Sequence, residues 1–369
     1  MPLSPLLRYI AKAIISGAIL AVALILLFPE LVGSSRDQLY SSDEPAPVSY
    51  AKAARAASPA VVNIYTRSFQ KSNIGKQSEL RPEGLGSGVI MSKKGHILTN
   101  YHVIARADQI IIALQDGRIF TADLVGFDPP TDLAVLSINA DNLPVIPQND
   151  KISPQVGDVV LAIGNPYNVG QTITQGIISA TGRIGLSTMG PDSNGRQDLL
   201  QTDAAINSGN SGGALVNSNG DLVGINSASY QTNNAESSGI SFAIPYHLAF
   251  RIMKDLIANG RVIRGYLGIS TVEVDPVTAK LLNLGELHGL IIENLDTNGP
   301  GATAGLKSGD ILPSLNGKQI AGVRAAMDTI AETAPGQVVQ VAVLRSGKPV
   351  TIQVKVEEEK EQSISNILN

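Results

Sequence analysis

Residues 209–225, GNSGGALVNSNGDLVGI, decide how the chain is read. Gly209-Asn210-Ser211-Gly212-Gly213 satisfies G-x-S-x-G, a pattern in which a serine is strained between a strand and a helix at the top of a parallel sheet. The surroundings oppose that fold. Residues 201–210 do not read as a buried strand, and Ala214-Leu215-Val216, the turn 217–221 and Leu222-Val223-Gly224-Ile225 read as strand, turn, strand. Ser211 therefore sits on a loop of a β protein, where glycines let the backbone N–H groups of Gly209 and Ser211 converge on an oxyanion. The plainer alternative is a surface turn rich in Gly, Ser and Asn.

The rest of the sequence agrees with a β protein. A length of 369 residues suggests two domains and an appendage. Gly 36 and Pro 20 with only Tyr 9, Phe 6 and Trp 0 favour many turns over a helical bundle. Short apolar runs at 61–65, 87–91, 96–100, 109–114, 133–138, 159–163 and 172–178 read as strands of a sandwich or a pair of barrels. The first convincing helix after the N-terminus is 246–259, stopped by Gly260. Lys+Arg 28 against Asp+Glu 32 gives a net charge of -4, which argues against nucleic acid held by bulk charge. Cys 0 excludes disulfides and thiol catalysis, and no metal-spaced cluster or cofactor loop is found. Gly84-Leu85-Gly86-Ser87-Gly88 precedes a strand rather than a helix, so it is no phosphate loop.

A serine hydroxyl needs a base. Of His96, His102, His247 and His288, only His102 lies at the end of an apolar run, 98–104, able to deliver its ring to a cleft; packing at a strand end is the alternative. Asp132, before the apolar run 133–136, suits the carboxylate that fixes an imidazole tautomer, with an Asx turn as the alternative and as the expected role of Asp128. The order His102, Asp132, Ser211 is that of the chymotrypsin group.

Residues 99–104 (TNYHVI), 131–136 (TDLAVL) and 202–215 (TDAAINSGNSGGAL) resemble the three signature blocks of HtrA-family serine proteases, and the likeness runs from about Tyr50 to Glu358. The resemblance implies a mostly β chain: a trypsin-like double β-barrel protease domain over 50–260, then one PDZ domain over 261–358 and a tail over 359–369. It implies His102, Asp132 and Ser211 as the triad, Gly209 and Ser211 as the oxyanion hole, and no cofactor. The second module reads independently as five strands and the helix 323–333, with Asn316-Gly317 and Ser346-Gly347 as turns and an edge strand open to a peptide. Pro313 marks an edge or bulge in the run 311–315. By resemblance Tyr266, Leu267, Gly268 and Ile269 form a carboxylate-binding loop and pocket; core packing is the alternative for Leu267 and Ile269.

The N-terminus completes the expectation. Ala13 to Phe28 carries no charge, and extension to 9–32, with Lys12 snorkelling, reaches the length of a transmembrane anchor. Arg8 and Lys12 place the tail 1–8 in the cytoplasm and the polar tether 33–49 outside. A cleaved signal peptide is the alternative, with a weak site at 32–34. One PDZ module and an anchor resemble the membrane-anchored stress-sensor branch of the family. That branch implies an inner-membrane homotrimer facing the periplasm, activated by C-terminal peptides of outer-membrane proteins and cutting an anti-sigma factor, with Arg183 stabilising the active state. A constitutive quality-control protease and a catalytically dead peptide-binding scaffold are the competing expectations.

Overall fold

A computed structural model describes residues 5–27, 49–71, 78–165, 170–183, 199–207, 209–231, 237–274, 289–320 and 322–359. The chain divides into two compact units, Met1–Ser49 and Tyr50–Asn369.

In the first unit α1 covers Pro5–Leu27, and Ile14, Ile15, Ile19 and Leu20 on it are exposed. Among the described residues no helix is long and apolar enough to cross a membrane. The transmembrane span expected over 9–32 is corrected to this extent: residues 28–32 lie outside the described residues, and among the described ones the uncharged part of α1 beyond Lys12 rises only about 22 Å against a hydrocarbon core of about 30 Å. The tether at 33–48 lies outside the described residues, as do His288 and the tail from 360.

The second unit opens with α2 (Ala51–Ala57), then β1 (Val61–Lys71), β2 (Ser78–Ile90), β3 (His96–Thr99), α3 (Tyr101–Ile104), β4 (Gln109–Ala113), β5 (Ile119–Asp128) and β6 (Leu133–Ser137). These strands close a barrel in the order β1-β2-β3-β6-β5-β4. A second barrel follows from β7 (Val159–Gly164), β8 (Thr172–Arg183), β9 (Leu199–Thr202), β10 (Ala214–Asn217), β11 (Leu222–Gln231) and β12 (Ser237–Pro245), in the order β10-β11-β12-β9-β8-β7.

Strand periodicity explains the sandwiching of the two barrels. On β6, Ala134 and Leu136 fill the first barrel while Leu133 and Val135 face the core between barrels. On β10, Leu215 fills the second barrel while Ala214 and Val216 meet Leu133 and Val135 in the shared core. Both faces are buried, so these strands read as continuous apolar runs. Helix α4 (Tyr246–Asn259) adds Ile252, Met253 and Leu256 to the shared core and ends at Gly260 as its sequence indicates.

The glycine-rich run 84–88, expected to precede a strand, lies wholly within β2. A Cβ at Gly88 would lie 2.7 Å from Ile97 Cγ2 and 2.9 Å from Ile64 Cδ1, so its neighbours can close in only on glycine.

After the connector 261–264 come β13 (Gly265–Tyr266), β14 (Ile269–Glu273), β15 (Leu290–Leu295), α5 (Pro300–Thr303), β16 (Ile311–Leu315), β17 (Lys318–Gln319), α6 (Val323–Glu332), β18 (Val338–Arg345), β19 (Lys348–Lys355) and β20 (Glu357–Glu358). The main sheet runs β14-β15-β16-β18-β19, leaving β14 at an edge, and Leu290, Ile292, Leu312, Val341 and Val354 form its core. Pro313 lies where the β16–β18 register shifts between Ile311 and Ser314, the irregularity its missing N–H demands.

Candidate active site

Each barrel contributes part of the candidate site, His102 and Asp132 from the first and Ser211 from the second. His102 does not end a strand as expected. β3 stops at Thr99, Asn100 stays extended, and a single helical turn, α3, carries the ring. The turn is held from beneath: Tyr101 N–H and Asn100 Nδ2 both donate to the Asp132 carbonyl, at 3.0 and 2.9 Å, and the Tyr101 ring stacks on Phe127 with centroids 4.9 Å apart.

Asp132 occupies the left-handed region (φ 53, ψ 41) after the one-turn 3-10 helix of Pro129–Thr131, a conformation aspartate tolerates better than most residues. Its carboxylate grips His102 twice. Oδ1 accepts the His102 main-chain N–H at 2.9 Å, and Oδ2 lies 2.7 Å from Nδ1. Asp132 is 5% exposed, so the carboxylate end of this pair is shielded from water while the His102 ring opens to solvent. Ser227 Oγ donates a further bond, 3.3 Å, to Oδ2. Ser227 carries no sequence pattern of its own, and only the closure of the second barrel brings β11 to Asp132.

Ser211 lies in the turn before β10. Its Oγ donates to the Ser227 carbonyl at 2.8 Å, and no hydrogen bond to the His102 ring exists among the described residues. The carbonyls of this turn are pinned. Ser87 Oγ donates to Gly209 O at 2.7 Å, Gly213 N–H to Asn210 O at 2.9 Å, and Ser87 N–H to Ser211 O at 2.9 Å. Gly212 has φ +79, and a Cβ there would lie 2.2 Å from the Ser87 carbonyl oxygen, so glycine is required. Among the described residues neither the Gly209 nor the Ser211 N–H has a partner within the protein. Two unpaired donors beside a hydroxyl, with an imidazole–carboxylate pair linked to the same Ser227, is an arrangement that can carry acyl transfer.

Asp128 is not the Asx-turn residue expected. It is buried, accepts a hydrogen bond from Thr131 Oγ1, and takes both terminal nitrogens of Arg264 from the connector to the second module. Arg183 closes β8 opposite Leu199, and its side chain falls outside the description, as does the loop 184–198. His96 pairs its Nδ1 with Ser92 Oγ at 3.0 Å and His247 lies on α4, so neither belongs to the cleft.

In the second module Leu267 is 2% exposed and packs in the core, while Ile269 is half-buried at the start of edge strand β14. Gly268 takes φ +69, and Tyr266 Oη donates to Asp296 at 3.1 Å. Among the described residues no group of three or more His, Asp or Glu could hold a metal ion.

Comparison with known proteins places this geometry in context. The model of a trypsin-like peptidase domain matches residues 86–225, and that of a PDZ domain matches 265–356. The chain is 52% identical over 356 residues to the serine endoprotease DegS of Escherichia coli, covering 96% of this chain and 98% of that protein. It is 44% identical over 285 residues to the periplasmic pH-dependent serine endoprotease DegQ of the same organism, covering 77% of this chain and 61% of DegQ. Among solved structures it matches the HtrA-type protease AlgW with tripeptide at 46% identity and a TM-score of 0.75, over 85% of this chain and 98% of that one.

Proposed function

The chain belongs to the HtrA family of serine proteases, and from that premise we propose that it is a membrane-attached periplasmic endopeptidase, switched on by hydrophobic carboxyl termini and acting on an anti-sigma factor. The observation that carries the catalytic part is the His102–Asp132 pair linked to Ser211 through Ser227, whose Oγ donates to Asp132 and whose carbonyl accepts from Ser211 Oγ, beside two unpaired amides.

In the proposed reaction Ser211 Oγ leaves the Ser227 carbonyl, turns to the His102 ring and attacks the scissile carbonyl carbon. His102 takes the hydroxyl proton on Nε2 and returns it to the leaving amine. Asp132 holds Nδ1–H towards itself and supports the imidazolium, and the Gly209 and Ser211 N–H groups hold the oxyanion. Water then repeats the sequence on the acyl-enzyme, with His102 as base, and releases the new carboxylate.

The activating ligand is an outer-membrane-protein C-terminus. It would add to edge strand β14, with its carboxylate at the amides of the 266–269 loop and its last side chain towards Leu267 and Ile269. Arg183 is assigned to the active state of the loop that follows it. Ligand can shift the equilibrium only by its differential affinity for the two states, so basal activity is low and above zero. The exposed apolar side chains of α1 would enter the inner membrane, with Lys12 at an interface and the protease and PDZ domains in the periplasm of a homotrimer.

The test uses the detergent-solubilised chain, an anti-sigma periplasmic domain and a hydrophobic C-terminal peptide, with Ser211→Ala as control. Cleavage that needs both the peptide and Ser211 supports the proposal. Equal cleavage of unfolded protein without peptide would replace it with constitutive quality control. Carbonate extraction of membranes tests α1, and sedimentation tests the trimer.

A further inference from the structure

The fully buried hydroxyl of Ser87 has no part in the catalytic steps above. Ser87, on β2 of the first barrel, is 0% exposed, yet every polar group it owns points at the turn of the second barrel or at the elements beneath it. Its N–H donates to the Ser211 carbonyl at 2.9 Å, its carbonyl accepts from Thr99 Oγ1 at 2.7 Å, and its Oγ donates to the Gly209 carbonyl at 2.7 Å. Oγ also accepts the N–H of Asn165, at the end of β7, at 3.0 Å.

The C=O of one residue and the N–H of the next lie antiparallel in one rigid plane. The 209–210 plane is therefore held at both ends, Gly209 O by Ser87 Oγ and Asn210 N–H by the Asn207 carbonyl at 2.9 Å, and pinning Ser211 O through Ser87 N–H fixes the 211–212 plane. Between them, Gly213 N–H holds Asn210 O, so the Ser211 N–H must point the opposite way. Of these holds only the first comes from a side chain. The Gly209 carbonyl and its amide share one α-carbon, with φ +103, and glycine has no Cβ to restrain rotation there.

The geometry points to Ser87 as a positioning residue for the oxyanion hole. Its hydroxyl clamps the Gly209 carbonyl and so restricts the rotation at the Gly209 α-carbon that would swing the Gly209 N–H away from the Ser211 N–H, at a site where a donor aimed in advance acts on the transition state and hardly on the bound substrate. It reads the end of β7 at the same time, through Asn165 N–H. The inference rests on the catalytic reading above, with Ser211 as nucleophile.

Ser87→Thr and Ser87→Val give two chains of matched volume differing in the hydroxyl. With a quenched-fluorescent peptide substrate, Ser87→Val is expected to lower kcat about tenfold relative to Ser87→Thr, below the ~10²–10³ cost of removing a direct donor, with KM unchanged within about twofold. Affinity for a peptide boronic acid, whose adduct is tetrahedral, should fall by the same factor while melting temperatures match. Ser87→Ala repeats the comparison against the native serine without adding bulk, with the same expectation. Equal kcat in the presence and absence of the hydroxyl, or a loss carried by KM alone, overturns the assignment. Activity retained by Ser211→Ala would overturn the catalytic reading itself; an inactive Ser211→Ala beside equal Ser87 variants would overturn only the part given to Ser87.

Discussion

Arg264 closes on both carboxylate oxygens of Asp128, at 2.8 and 2.5 Å, joining the connector of the PDZ domain to the segment that carries Asp132. Burial works against charge on Arg264, yet the hydrogen bonds and charge of Asp128 hold its pKa above the ordinary arginine value. Removing one partner of a buried pair strands the other. Arg264→Ala should therefore lower stability by about 3 kcal/mol, read from the denaturant midpoint. Asp128→Ala added to Arg264→Ala should cost less than the two single losses combined, because no charge is left stranded.

Asp132→Asn tests the orienting carboxylate. The amide oxygen can still accept the His102 main-chain N–H, so α3 keeps its position, while the amide nitrogen faces Nδ1 and imposes the wrong tautomer. A fall in kcat of about 10⁴ at unchanged melting temperature is expected. A drop of less than tenfold would show that another group orients the ring.

Acid stability should depend on Asp310. Burial raises its pKa, but Arg345 at 2.8 and 2.7 Å and the Lys307 N–H at 2.9 Å outweigh that and bring it below the usual carboxylate value. A depressed folded-state pKa contributes stability above the unfolded value, about 3.9, and that contribution is lost as pH falls through the folded value. Asp310→Asn should flatten the urea midpoint below about pH 4.

His247 works in a milder range. Desolvation and Arg251 lower its pKa against the opposing pull of Asp328 and Glu332, and Arg251 itself pairs with Glu332 across α4 and α6. The folded state then binds fewer protons than the unfolded state, so stability falls as pH drops below about 6.5. His247→Gln should remove that slope, measured as melting temperature between pH 7 and 5.

Local chemistry made much of this molecule legible in advance. Asn316-Gly317 and Ser346-Gly347 are turns with positive φ at both residues, Gly260 caps α4, and the blocks around His102, Asp132 and Ser211 fall on two barrels. The alanine-rich run 51–57, α2, has strong helix propensity that the emphasis on strands passed over. β5 was hidden because Ile119, Leu124 and Phe127 point outward and a register shift between Leu124 and Gly126 breaks alternation. The run 96–104 looked like one strand because Asn100 and Tyr101 break it only by bonding to Asp132, 30 residues on in the case of His102's own partner. Asp128, Ser87 and Ser227 owe their places to partners far along the chain, which no local pattern announces.

The central claim is that a peptide-switched His102–Asp132–Ser211 site does the cutting. Its most direct test is the rate of cleavage of an anti-sigma periplasmic domain by the detergent-solubilised chain, with and without a hydrophobic C-terminal peptide, beside Ser211→Ala. Cleavage that rises with peptide and vanishes in the variant is the expected result. A rate that ignores the peptide, or persists without the Ser211 hydroxyl, would contradict the account.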